Sequence, residues 1–119
     1  MVKPDDPRHL AVNLLPRSTC RVQVAAVIAD CHGIFSWGWN GQGADGLGEH
    51  AEAAAFRRAN KRRLEWATLY VAARRQKSGN VLIAKPCEEC AKLIRRWGIR
   101  TVIWRDKNRQ WIQEEWLVQ

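Results

Sequence analysis

His50-Ala51-Glu52 and, further along, Pro86-Cys87-Glu88-Glu89-Cys90 decide how this chain is read. They bring together one imidazole, two thiols and a carboxylate that need not bind metal. A structural zinc site is closed by four protein ligands, whereas a catalytic one keeps a coordination position for water. His50, Cys87 and Cys90 supply three ligands and leave the fourth place open, so Zn2+ is expected in a catalytic role. A helix over about 50–63 puts His50 in its first turn, with Glu52, two positions on, projecting elsewhere along the pocket wall. Glu52 can then reach a water without binding the ion. Cys87 and Cys90, three residues apart, share one face of a second helix whose start is marked by Pro86. The N-terminus of that helix favours thiolates over thiols. Two thiolates and a neutral imidazole cancel the charge of Zn2+, and the metal lowers the pKa of its water toward neutrality. Glu52 is the group that takes the proton and returns it to substrate.

The same signature, with its non-ligand glutamate, belongs to zinc-dependent nucleobase deaminases. The chain resembles the cytidine and deoxycytidylate deaminase superfamily, and the likeness extends to Gly38-Trp39-Asn40, Ala67-Thr68-Leu69-Tyr70-Val71, Cys90-Ala91-Lys92-Leu93-Ile94 and Gly98-Ile99-Arg100-Thr101-Val102-Ile103-Trp104. Together these cover about 22–105. The resemblance implies an α/β fold, a three-layer α/β/α sandwich around a central mixed five-stranded sheet with the two zinc helices on one face. It implies hydrolysis of cytosine to uracil, a sugar or base contact from Asn40, and a backbone N–H of Ala51 that binds the base carbonyl. Trp39 and Pro86 complete the candidate substrate contacts. One departure is visible: 74–80 and a second apolar run, Val81-Leu82-Ile83-Ala84, intervene where many relatives pass almost directly from Thr-Leu-Tyr-Val to Pro-Cys. Ser78-Gly79-Asn80 is turn chemistry, so the insert reads as a hairpin or as one long bulged strand.

The remaining organisation is mixed α and β in one domain of 119 residues, large enough for a core, with no membrane-spanning stretch and no signal-peptide pattern at its start. A cytoplasmic protein is expected. Asp6-Pro7 is a cap and first-turn pair for a helix over 8–15 that Pro16 stops. Strands are expected over 20–29, 34–39, 68–73, 81–85 and 101–104, with the second zinc helix over 87–97 ended by Gly98. Residues 110–113 alternate like an edge strand, which would run antiparallel to its neighbour, whereas Gly38-Trp39-Asn40 points to relatives that end in a crossover helix. The glycine-rich stretch 41–48 is a loop near metal or substrate, not a phosphate-binding loop, because no Lys-Ser/Thr follows. Cys20 and Cys31 are expected to be buried free thiols. His32 reads as a turn histidine and His9 as a surface one.

Charge bears on the substrate. The net charge is +8, yet 57–109 carries sixteen Lys/Arg against Glu65, Glu88, Glu89 and Asp106, a local +12 that leaves −4 for the rest. Such an excess suits a polyanion, although basic residues also merely solvate helix faces. Trp66, Trp97 and Trp104 fall where core packing is the default. Trp37 and Trp39, at i and i+2, share one strand face, and one of them could stack on a base. Three functions follow: a cytosine deaminase acting on single-stranded or flipped-out bases in DNA or RNA, favoured by the charge; a dCMP or cytidine deaminase; and a catalytically silent zinc-stabilised nucleic-acid-binding module, against which Glu52 argues. Adenine as the target base and homo-oligomer formation both stay open.

Overall fold

The structure, a computed structural model, describes residues 6–41 and 48–116. In chain order the elements are α1 (Pro7–Leu14), β1 (Val22–Asp30), β2 (Gly33–Trp39), α2 (Ala51–Arg58), β3 (Thr68–Arg75), β4 (Val81–Leu82), α3 (Glu88–Arg96), β5 (Thr101–Arg105) and β6 (Trp111–Glu115), with 3-10 turns at Leu15–Arg17 and Lys61–Arg63. The sheet order is β2-β1-β3-β5-β6, and β4 adds a sixth strand beside the end of β3. Only β3 and β5 are parallel, which is why the long connection through α3 lies between them. The last strand is the antiparallel edge that the alternation of 110–113 suggested, not a crossover helix. The insert forms the hairpin, pairing Ala73 with Leu82 and Arg74 with Val81.

Three layers result. On one face α1 packs Ala11 and Leu14 against Ala25, Val27 and Ala72. On the other, Ala51, Ala55 and Phe56 of α2 and Ile94 of α3 meet Ala26, Ile28, Leu69, Val71 and Val102. Cover on both faces explains why 25–29 is an unbroken buried run rather than an alternating one. The close fit of α2 depends on Gly38, where a Cβ would lie 2.7 Å from the Ala55 backbone N, 2.8 Å from Ala54 Cβ and 2.9 Å from the Ala51 carbonyl O. Ser36, on the same strand face, donates its hydroxyl to the Ala55 carbonyl at 2.6 Å.

Several expectations shift. The helix expected over 50–63 stops at Arg58, because Lys61 Nζ donates to the carbonyls of Phe56, Arg57 and Ala59 while Asn60 caps the next turn by accepting from the Arg62 N–H. The first helix begins at Pro7, with Asp6 accepting from the Arg8 N–H at 2.9 Å. Trp66 is not core: it adopts φ 70° and is 59% exposed, whereas Trp104 is buried and Trp97 packs at the core edge. Cys20 and Cys31 are free, but Cys31 is exposed and Cys20 only half-buried. No helix among the described residues is long and apolar enough to cross a membrane.

Arg63 clamps the α2–β3 connection to the end of β1 through two 2.7 Å hydrogen bonds to the Asp30 carboxylate. That guanidinium pulls the Asp30 carboxyl down to about 2 against the opposing effect of partial burial. A carboxylate whose pKa is depressed by folding stabilises the fold above its unfolded value near 3.8 and loses that contribution as pH falls toward 2. Arg63→Ala should therefore lower Tm by a few degrees at pH 7, with the difference from wild type shrinking between pH 4 and 2 in thermal melts. Gly38→Ala should cost about 1–3 kcal/mol in urea denaturation, since it strikes the backbone of Ala51 and Ala55 and the Cβ of Ala54, none of which can swing away.

Candidate metal centre and its pocket

The two zinc helices begin opposite one another on the same face of the sheet. His50 is the N-cap of α2 and Cys87 the N-cap of α3, both with extended backbone, and Cys90 lies in the first turn of α3. His50 thus sits just before the helix rather than inside its first turn, and Pro86 precedes the cap. His50 Nδ1 lies 3.5 Å from Cys87 Sγ and 3.3 Å from Cys90 Sγ. All three donor atoms fall within 4.8 Å of one another, the only such group of three or more among the described residues. A tetrahedral ion with ordinary Zn–S and Zn–N bonds requires an S···N edge of about 3.5 Å. The donors therefore fit zinc in both chemistry and spacing. Cys90 is buried, which pushes its thiol far up and calls for a cation beside the sulfur.

Beside this group opens a cavity of about 480 Å³ lined by His50, Cys87, Glu52, Ala51, Asn40 and Lys85, with apolar wall from Val22, Leu82 and Ile83. Glu52 is 5% exposed, and burial raises its carboxyl above the ordinary value, opposed by its own backbone N–H, His50 and Cys90. It lines the cavity without joining the metal-binding group. Ala51, at the first position of α2, is buried against the cavity, and its N–H is of the kind a helix start leaves without an intrahelical acceptor.

Asn40 also lines the cavity, but most of its amide is already engaged. Its Oδ1 accepts from the Ser18 hydroxyl at 2.7 Å and the Val24 N–H at 2.9 Å, and its Nδ2 donates to the Val22 carbonyl at 2.8 Å. One amide hydrogen is left. Trp37 and Trp39 share a strand face, and it is the α1 face, because Gly38 and Ser36 occupy the inner one; Trp39, expected to contact the base, is not among the residues lining the cavity. Trp39 packs with the α1 cluster and lies between guanidiniums, Arg17 at 5.5 Å and Arg58 at 4.6 Å from its ring. Pro86 is buried but bounds a neighbouring depression between α3 and β6. Of the glycine-rich loop, 42–47 lie outside the described residues; its neck is closed by paired backbone bonds between Gly41 and Glu49, with the Glu49 carboxylate accepting from Nε and Nη2 of Arg57, each at 2.9 Å. Sequence reasoning missed the buried Ser18 behind Asn40, for which no local signal exists, and Val22, Leu82 and Ile83 as cavity wall.

The chain matches the model of the cytidine and deoxycytidylate deaminase zinc-binding region over residues 6–105. Among solved structures it is similar to the dCMP deaminase of cyanophage S-TIM5 in apo form, at 21% identity and TM-score 0.67 over 88% of this chain and 86% of that one. It is similar to cytidine deaminase from Burkholderia pseudomallei at 16% identity and TM-score 0.72, covering 96% and 93% of the two chains. RibD of Acinetobacter baumannii aligns over 84% of this chain but only 27% of its own, at 22% identity and TM-score 0.62. No curated protein sequence matches.

Cys87→Ala should leave the purified protein with substoichiometric zinc and a lower Tm, and chelation of the wild type should move its Tm the same way, because metal binding contributes folding free energy. Metal analysis beside thermal melts reads both.

Proposed function

Because the chain belongs to the cytidine and deoxycytidylate deaminase family, we propose that it hydrolytically deaminates the cytosine base of a nucleotide or nucleoside, releasing ammonia and leaving uracil. The observation that carries this reading is a buried carboxylate, Glu52, standing beside but outside a three-donor metal group on one cavity wall. Zinc held by His50, Cys87 and Cys90 would supply Lewis acidity that brings the pKa of a water toward neutrality. Glu52 accepts the proton of the water that adds at C4. It then hands that proton to the ring nitrogen, takes the remaining proton from the hydroxyl now on C4 and gives it to the exocyclic amine, so that the C4 carbonyl forms as ammonia departs. A carboxyl raised by burial suits that exchange, since it must both take and give a proton near neutral pH. Ala51 presents its N–H to the base carbonyl, and the remaining amide hydrogen of Asn40 faces the sugar. Val22, Leu82 and Ile83 bury the base.

For the substrate, similarity to a dCMP deaminase, one structure of which is a complex with dCMP and dUMP, and to a cytidine deaminase supports a free nucleotide or nucleoside over the strand-borne cytosine that charge alone favours. Lys85 at the rim, 3.7 Å from Glu114, supplies a cation that a monophosphate can meet.

Glu52→Gln should keep zinc at wild-type occupancy and lose about 100-fold or more of turnover. Near-normal ammonia release from dCMP or cytidine in that variant would remove Glu52 from the proton-transfer role. Lys85→Ala should raise KM for dCMP several-fold while leaving that for cytidine nearly unchanged, as followed by uracil formation with each substrate.

A further inference from the structure

The hairpin inserted between the two half-motifs supplies no metal ligand, yet it forms one wall of a second depression. Arg75, Ser78 and Asn80 come from the hairpin, and Lys107, Asn108 and Arg109 face them from the β5–β6 turn, enclosing about 870 Å³ with no carboxylate in the lining among the described residues. Leu82 and Ile83 line both this cleft and the metal-side cavity, so the two spaces meet along them. Lys85, two residues beyond Ile83, stands on the metal side of that divide.

Positive charge in this cleft is unmet. Elsewhere arginine finds a carboxylate, Arg8 at Asp6, Arg57 at Glu49, Arg63 at Asp30 and Arg100 at Glu115. The side chains of Arg75, Lys107 and Arg109 have no hydrogen bond or ion pair among the described residues. Asp106, the nearest acid in sequence, is turned to its own loop, where it accepts from the Asn108 and Gln110 N–H groups. Arg109 holds φ 65°, a left-handed conformation in which glycine is cheaper. Strain kept at a charged side chain that lines a cleft is the kind of outlier from which function is inferred. The opposite wall is fixed as well, since Arg75 donates its N–H to the Asn80 carbonyl and accepts from the Gly79 N–H, both at 2.9 Å. With cations and amides but no carboxylate, the lining suits an anion and offers no ligand set for a hard divalent cation.

We propose that the chain accepts a cytosine nucleoside 5′-triphosphate, with the base at the metal centre, the first phosphate at Lys85 and the terminal phosphates in this cleft. The inference rests on the deaminase reading and names the form of the free nucleotide. A monophosphate ends at Lys85 and leaves the three unpaired cations idle, whereas a longer phosphate chain passes Ile83 and reaches them. The triphosphate itself is untouched: the nucleotide and water give the uracil nucleoside triphosphate and ammonia.

The test is ammonia release by the full zinc-loaded chain from cytidine, dCMP, dCTP, CMP and CTP in magnesium-free buffer, with the products identified by mass. The triphosphate should exceed its matching monophosphate about 10-fold in kcat/KM at low salt, chiefly through KM, and the gap should narrow as salt screens the exposed charges. Arg109→Gly and Arg75→Gln should each cut the ratio of triphosphate to monophosphate about 3- to 10-fold, the loss of one charged contact. The Tm of Arg109→Gly should equal or exceed wild type, because glycine relieves the left-handed strain. Arg62→Gln, which removes one charge from the α2–β3 connection, should leave the ratio unchanged. An equal fall in all three variants, or no fall with Arg109→Gly and Arg75→Gln, overturns the proposal. Turnover of the monophosphate with no preference for the triphosphate also overturns it and leaves the deaminase reading standing, as does dCTP that alters dCMP turnover without itself becoming dUTP. Absence of turnover with every one of the five substrates removes the deaminase reading and this inference together.

Discussion

Backbone lies against backbone at Gly38, and the metal centre depends on that approach. The glycine lets the start of α2 settle onto β2, with a missing Cβ where helix atoms come within 2.9 Å. Depth at that point fixes where His50 ends up relative to Cys87 and Cys90, which α3 delivers on the same face from its place in the connection between parallel β3 and β5. Two helix starts are thereby aimed at one place, and their positive ends favour the thiolates and the carboxylate gathered there. A side chain at position 38 would strike Ala51, Ala54 and Ala55 and lift the start of α2, the residue beside His50 included.

The chemistry was legible because it is written in residue types that have few other reasons to occur together. One histidine, two cysteines and a spare glutamate at helix starts admit little else, and the edge strand at the end of the chain showed in its alternation. What the chain conceals is phase and distance. Two tryptophans at i and i+2 must share a strand face, but which face turns on the glycine between them, whose purpose emerges only when a helix lies on it. The clamp from Ser18 to Asn40 spans 22 residues and joins segments with no shared pattern. Asn60 and Lys61 did carry a signal for the early helix end, an Asx cap and a lysine reaching back to carbonyls, which the apolar periodicity of 50–63 obscured. Trp66 shows the opposite error: its type suggests burial, while its left-handed turn conformation turns it outward.

Reaction and substrate are specified by different parts of the molecule. The donors and Glu52 sit on the packed core side of the sheet, held by helices that cannot shift without loss of stability. The rim is assembled from β4 and the residues after it and from the neck of the glycine-rich loop. Family membership describes the first of these sets. The second includes the 74–80 hairpin, which carries Arg74, Arg75 and Lys77.

The run from β4 to Pro86 is stitched on both sides, by Leu82 opposite Ala73 of β3 and by the Ala84 N–H to the Arg105 carbonyl of β5 at 2.9 Å. Cys87 therefore takes its position from the sheet, not from the tip of the hairpin that precedes it. The tip, 76–80, is a graft point: loops of other lengths and compositions can be spliced there without moving the ligand sulfur, so substrate range can diversify by insertion while the reaction centre stays fixed.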